Sequence, residues 1–367
     1  MPLLSLLLLA AALLFLGYTY LLYPLAILLL ARLRPRPLRP VPDAPLPRAT
    51  ILLSARDEGT RLPQKLRELL ALPASDAIDA ILVGLDGASP ASADALRALL
   101  PDSRLHLHPF PDARGKAAVL ADLIPLAATD VLVFLDVRQT VLPGSIEKLL
   151  CTFADPSVAV ASGELLFAAP DTPDASAADS YWSFEKKLRA AESALASVPG
   201  ATGALYAIRR AAAVPPPPGT LNDDVLIPMR AVLAGGRCLF VPGATCLDVP
   251  ETDLAVELRR KRRTAAGNWQ LLRLEPRLLS PRQNPIFLQF LSHKLCRICT
   301  PFACLVAYFS LLAFPGLFLL ASVALLLSLV AALLRRRFRH PLLNLLAAPF
   351  LLNYTLLQAA FLPPSWR

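Results

Sequence analysis

Val131-Leu-Val-Phe-Leu-Asp-Val-Arg-Gln-Thr140 is the stretch whose reading decides the fold. Five apolar residues, rich in Val and Phe, run straight into an acid, Asp136. A parallel strand covered on both faces has this appearance, and it delivers the next side chain to a crevice beyond its carboxyl end. Taken alone, Asp136 is either a site residue or a cap on the following turn. Two positions on stands Arg138 rather than a second acid.

Outward from this strand the pattern alternates. Strands are predicted over 49–54, 80–85 and 105–109, and helices over 61–70, 91–100 and 116–124. Alternation of this kind implies right-handed crossovers and an α/β domain with a mostly parallel sheet. Further strands are predicted over 158–167, 202–208 and 237–241, and helices over 180–196 and 223–234.

The 367 residues are 55% hydrophobic and 18% charged, with a net charge of +9. The apolar excess lies at the two ends, which flank a domain over 49–253. Residues 3–30 are almost uninterrupted Leu, Ala, Phe and Tyr, long enough for a transmembrane helix over 1–31. Arg32, Arg34, Arg36, Arg39 and Arg48 follow, within an Arg/Pro-rich linker over 32–48. By the positive-inside rule the linker and the domain face the cytoplasm. Residues 254–297 read as basic and amphipathic helices at the membrane interface.

Residues 298–334 read as a transmembrane hairpin broken at Pro315-Gly316, with Arg297 on one flank and Arg335, Arg336, Arg337 and Arg339 on the other. A last helix is expected over 341–362. The sum is four spans, or three if 300–334 is one tilted helix. The multi-pass chain is then expected in a bacterial-type plasma (inner) membrane with its domain cytoplasmic. The basic clusters lie beside apolar spans, which points to membrane lipids as partners and not to nucleic acid. Cys296-x-x-Cys299 lacks a second Cys/His pair and reads as packing, not as a zinc site.

Chemistry concentrates at the strand ends. The first ends in Ser54-Ala-Arg-Asp-Glu58, the second in Asp86-Gly-Ala-Ser89, and the central one in Asp136. Acids gathered at one crevice are costly without a cation or a hydrogen-bonded ligand. Together they favour a nucleotide-plus-metal site. Lys116 follows Gly115 at a helix start and is either a phosphate ligand or a solvated lysine. Neither a P-loop nor a G-x-G-x-x-G follows the first strand. Further on, Asn222-Asp-Asp-Val-Leu-Ile-Pro-Met-Arg230 sets Asp223 and Asp224 at a helix start, where the macrodipole favours anions. One acid suffices as a cap, which leaves the other for chemistry.

This combination resembles the family 2 glycosyltransferases, membrane-bound members such as cellulose and hyaluronan synthases included, over roughly 49–270. The resemblance implies a GT-A (nucleotide-diphospho-sugar transferase) domain. Arg56-Asp57-Glu58 resembles the family's first-strand step. Asp86-Gly-Ala-Ser89 is similar to its D-x-x-S step, which implies that Asp86 contacts the base. Gly115-Lys116 is similar to its G-K step, and Asp136 to the first acid of a D-x-D step.

Gly200-Ala201-Thr202-Gly203, with Tyr206, resembles the acceptor-lining G-x-x-G segment. Asp223-Asp224 matches the E-D pair and makes Asp224 the implied base. Arg260-Lys-Arg-Arg263-Thr-Ala-Ala-Gly267 is similar to the Q-x-x-R-W segment, with Arg for Gln and Thr for Trp. The donor set so implied is Ser54, Arg56, Glu58, Asp86, Lys116, Asp136, Arg138, Arg260 and Arg263.

The expected reaction is an inverting transfer from a nucleotide-sugar donor, a UDP-sugar in the first instance, to a lipid or glycan acceptor. Mg²⁺ or Mn²⁺ is expected, held partly by Asp136. Two other readings stay open. One is a catalytically weak relative within an envelope-polysaccharide assembly, with polysaccharide-assembly partners. The other is a nucleotidyltransferase.

Overall fold

A computed structural model of the chain describes residues 2–39, 41–42, 44–56, 58–72, 77–99, 101–167, 175–249, 254–334, 338 and 341–361. Its centre is an eight-stranded sheet: β1 (Ala49–Ala55), β2 (Ile78–Asp86), β3 (Leu105–Phe110), β4 (Val131–Leu135), β5 (Thr140–Val141), β6 (Val158–Phe167), β7 (Leu205–Arg209) and β8 (Arg237–Asp248). The strand order is β3-β2-β1-β4-β7-β6-β8-β5.

The quoted stretch is β4, buried along its length and lying between β1 and β7. Its side chains alternate between two cores. Val131, Val133 and Leu135 face a core closed by Leu62, Leu66 and Leu69 of helix Arg61–Leu70 and by Leu149 and Leu150 of helix Ser145–Cys151. Leu132 and Phe134 face a core closed by helices Lys116–Leu126 and Asp223–Leu233. A buried Leu or Phe contributes about 1.5–3 kcal/mol, so both faces hold β4 in place.

The sheet is mixed. β3, β2, β1 and β4 run parallel, but β7 is inserted antiparallel between β4 and β6. β8 runs on to Asp248, well past the expected end at 241. The strand passes Pro242-Gly243 with a register shift against β6. The short β5 and helix Ser145–Cys151 lie in a segment with no helix or strand expectation.

Among the described residues, three helices are long and apolar enough to cross a membrane: Pro2–Leu33, Phe287–Ala313 and Pro315–Leu334. The helix breaks at Phe314, and a new one starts at Pro315. Leu346–Phe361 is a shorter apolar stretch of helix Pro341–Phe361. Residues 335–337 and 339 lie outside the described residues.

Residues 284–297, expected at the membrane interface, do not form a helix of their own. The helix beginning at Phe287 continues to Ala313, and its first turns bury Phe290 in the core beneath the sheet. The hairpin arms meet at Tyr308, whose ring lies 5.1 Å from that of Phe318 and whose hydroxyl is 2.9 Å from Ser322 Oγ. Pro315–Leu334 also packs on Pro341–Phe361, where Ala331, Ala332 and Ala347 allow close approach.

A buried polar junction joins the domain to these helices. Glu192, on helix Ala175–Leu195, accepts from Tyr23 Oη and lies 2.8 Å from His293 Nδ1. Glu185, two turns earlier, lies 2.6 Å from His293 Nε2 and 2.9 Å from Arg297. The linker is strapped to the domain: Arg36 N donates to Ala194 O at 2.7 Å and Arg39 N to Asp155 Oδ2 at 2.7 Å.

Candidate functional site

The carboxyl end of β4 and the start of helix Asp223–Leu233 meet at one lysine. Lys116 opens its helix and sends Nζ to within 2.7 Å of Asp136 Oδ1 and 3.5 Å of Asp223 Oδ2. Asp223 is 3% exposed, and its Oδ2 makes no hydrogen bond among the described residues. Burial alone would lower the Lys116 pKa. Asp136 first, then Asp223 and Asp224, outweigh burial and raise it, so the ammonium is firmly charged.

Asp224 has the opposite balance. Burial, then the charge of Asp223, raises its pKa to about 6, against the pull of Lys116 and Lys294. A carboxylate poised there is a better base than an ordinary surface aspartate. Tyr206 completes the floor. Its ring stacks on Phe134 at 4.6 Å, and its buried hydroxyl has no hydrogen-bond partner among the described residues. Burial first, then Asp223, Asp224 and Asp136, push that hydroxyl's pKa well up.

The Gly200–Gly203 segment wraps the start of the same helix. Ala201 N donates to Asp224 O at 2.8 Å. A Cβ on Gly203 would lie 2.8 Å from Asp224 Oδ2, so only glycine leaves room for this carboxylate. Thr202 N donates to Ser162 Oγ at 2.9 Å, and Arg189 donates to the same hydroxyl at 2.9 Å.

Asp86, 4% exposed, stands apart from this cluster. Its two oxygens accept backbone N–H groups of Arg114 at 2.7 Å and Gly115 at 2.9 Å. It therefore fixes the turn that presents Lys116. Beside it opens a cleft of about 450 Å³ lined by Ala55, Glu58, Asp86, Gly87 and Ser92. Ser54 ends β1 opposite Gly84 of β2, and Arg56 is exposed just beyond. Asp57 lies outside the described residues.

Arg138 does not pair with Asp136. It donates to Asp248 Oδ2 at 2.5 Å, and Gln139 Nε2 donates to the same oxygen at 3.0 Å. Asp248 ends β8 and is a site-edge acid for which no role was read from the sequence. The strand-into-acid pattern that exposed Asp86 and Asp136 would have found it, had β8 been read to its full length.

The basic helix Leu254–Leu274 is docked, not loose. Asn222, immediately before Asp223, donates to Thr264 O at 3.0 Å and to Asn268 Oδ1 at 3.1 Å. A Cβ on Gly267 would lie 2.4 Å from Asn222 Cγ. Arg263 donates to Leu221 O at 3.3 Å, which brings its guanidinium to the edge of the acid pair, and Arg260 lies half-buried nearly one turn earlier. Trp269 turns away and meets Phe302 of the membrane helix edge-on at 6.4 Å.

A family profile described as "Glycosyltransferase like family 2" matches residues 47–267, more than half of the chain and all of the site. The chain belongs to glycosyltransferase family 2. The mannosyltransferase PcManGT of Pyrobaculum calidifontis, solved with GDP-Man and Mn²⁺, is similar over 96% of this chain and 97% of its own. The TM-score is 0.70 at 20% identity, which shows a shared GT-A-like α/β fold. GalNAc-T7, solved with UDP, GalNAc and Mn²⁺, matches 68% of this chain and 55% of its own, with a TM-score of 0.43 at 12% identity. Among curated proteins, none matches this glycosyltransferase by sequence.

The Mn²⁺ solved with PcManGT raises the question of fit here. A resident divalent cation needs several oxygen ligands. Among the described residues no group of three or more His, Cys, Asp or Glu is placed to hold one. Asp136 is the one acid of the D-x-D-like step, and Lys116 engages it; Arg138 fills the second position. The side chains present do not form a ready-made divalent site.

Proposed function

We propose that this is an integral-membrane inverting glycosyltransferase, moving a sugar from a nucleotide-diphosphate donor to a lipid or glycan acceptor at the cytoplasmic face of a bacterial-type inner membrane. The observation that carries the reading is Asp224: a half-buried carboxylate of raised pKa, at a helix start beside Gly203 and a charged lysine. Family membership and the GT-A-like fold support it.

In this reading the cleft beside Asp86 takes the nucleoside, with Ser54, Arg56 and Glu58 at its β1 side. The diphosphate lies toward Lys116, Asp136 and Arg138, and Arg260 and Arg263 approach from the basic helix. The acceptor enters over Gly200, Ala201, Thr202 and Gly203. Asp224 takes the proton of the acceptor hydroxyl as its oxygen bonds to the anomeric carbon. The bond from that carbon to the diphosphate breaks on the opposite face, which inverts the configuration. Lys116 and Arg263 meet the charge that leaves with the diphosphate. A divalent cation arriving with the donor would find one protein carboxylate there, Asp136.

The test is a binding panel of UDP- and GDP-sugars against the purified full-length protein, followed by acceptor-dependent release of nucleoside diphosphate from the donor that binds. Binding and release support the reading. Absence of donor binding across the panel would leave only the assembly-component reading.

A further inference from the structure

We propose that Lys116 and Arg138 form a fixed pair of cations that receives the donor diphosphate, so that donor binding does not require a divalent metal. The proposal rests on the glycosyltransferase reading above and deepens it at the same site.

Arg138 occupies the position two residues after Asp136, where the D-x-D step of the resemblance carries its second acid. Its guanidinium is anchored rather than mobile. Thr140 pairs with Leu247 across β5 and β8, which places Arg138 and Gln139 beside Asp248. Arg138 and Gln139 then share Asp248 Oδ2. Asp248 is 4% exposed, whereas the Arg138 side chain is 35% exposed. The carboxylate is thus a buried anchor and the guanidinium a presented group.

One of its five N–H donors is used on Asp248, and the others have no protein partner among the described residues. A guanidinium held this way suits two phosphate oxygens at once. Lys116 stands at the other acid of the step, 2.7 Å from Asp136. Each cation is paired with a carboxylate, so the two would meet a diphosphate through their remaining N–H donors, contacts for which no metal is needed.

A metal could take the place of Arg138 only by displacing the guanidinium. That would break the ion pair of Arg138 with buried Asp248, while Gln139 still holds the same carboxylate oxygen.

The experiment uses the full-length protein in detergent. Affinity for each UDP- and GDP-sugar is measured by calorimetry in EDTA and again in Mn²⁺, and Mn²⁺ binding to the nucleotide-free protein is followed by electron paramagnetic resonance. The expected result is a donor whose affinity in EDTA is within about threefold of that in Mn²⁺, a difference of less than 1 kcal/mol. No tight Mn²⁺ site is expected without nucleotide.

Arg138→Ala combined with Asp248→Asn removes the ion pair as a unit and leaves no lone buried charge. This variant should lose about tenfold or more in donor affinity, as loss of a charge-assisted phosphate contact implies. Donor binding that needs Mn²⁺, or a folded double variant with unchanged affinity, would overturn the proposal and leave the glycosyltransferase reading standing. A chain that binds no donor in either condition would overturn both.

Discussion

Gly203 and Asp224 are in contact across the site: a Cβ on Gly203 would lie 2.8 Å from Asp224 Oδ2. The glycine shapes the space in which the base stands. Gly203→Ala is therefore expected to move the Asp224 carboxylate and leave the donor cleft intact. A displacement on the order of 1 Å costs about 100-fold in rate. Turnover should fall by that order with donor affinity unchanged, measured by steady-state kinetics and calorimetry.

The pH dependence follows from Asp224. Transfer needs the carboxylate, so kcat/KM should rise as pH passes through about 6. Stability moves the other way. The folded pKa is above the ordinary aspartate value of about 3.9, so the folded chain holds the extra proton between the two values. This group's contribution to stability then falls as pH rises through that window. Lys294 opposes the rise in the Asp224 pKa. Lys294→Met should shift the acid limb of the rate profile to higher pH, and an unshifted limb would remove Lys294 from the account.

Gly267 and Asn222 tie the basic helix to the acid pair. A Cβ at 2.4 Å from Asn222 Cγ forces a shift. Overpacking of this kind costs about 1–3 kcal/mol. Gly267→Ala should lower the unfolding midpoint and weaken catalysis together, because Asn222 directly precedes Asp223. Differential scanning fluorimetry and turnover, measured on one preparation, check this.

The junction of Glu185, Glu192 and His293 is a further point of attack. Burial would raise the Glu185 pKa, but His293 and Arg297 hold its carboxyl well below the usual carboxylate range. Its contribution is present above the unfolded value of about 4.3 and is lost as pH falls below it. Glu192→Ala leaves His293 and Tyr23 facing an empty place in a buried site, and removing one partner of such a set costs about 3–5 kcal/mol. The variant should detach the domain from the membrane helices, read as new protease cleavage in the linker.

The parts of the site that were legible in the sequence are local. An apolar run into an acid marked β4 and Asp136, and paired acids at a helix start marked Asp223 and Asp224. Lys116 was visible after Gly115, though not that three carboxylates would gather around it. Long-range features were hidden. The Arg138–Asp248 pair spans 110 residues and depends on the β5–β8 register. The antiparallel insertion of β7 leaves no mark on hydrophobic periodicity. Lys294 was read only as part of an amphipathic segment over 284–297, where nothing in the sequence set it apart from Arg297.

Asp224 as the base is tested most directly by Asp224→Asn, which keeps shape and removes the proton acceptor. With the donor found by panel binding, the variant should bind that donor as the parent protein does. Its transfer rate should fall by roughly 100- to 10,000-fold, the range of general-base catalysis. A variant that turns over at the parent rate would contradict the account.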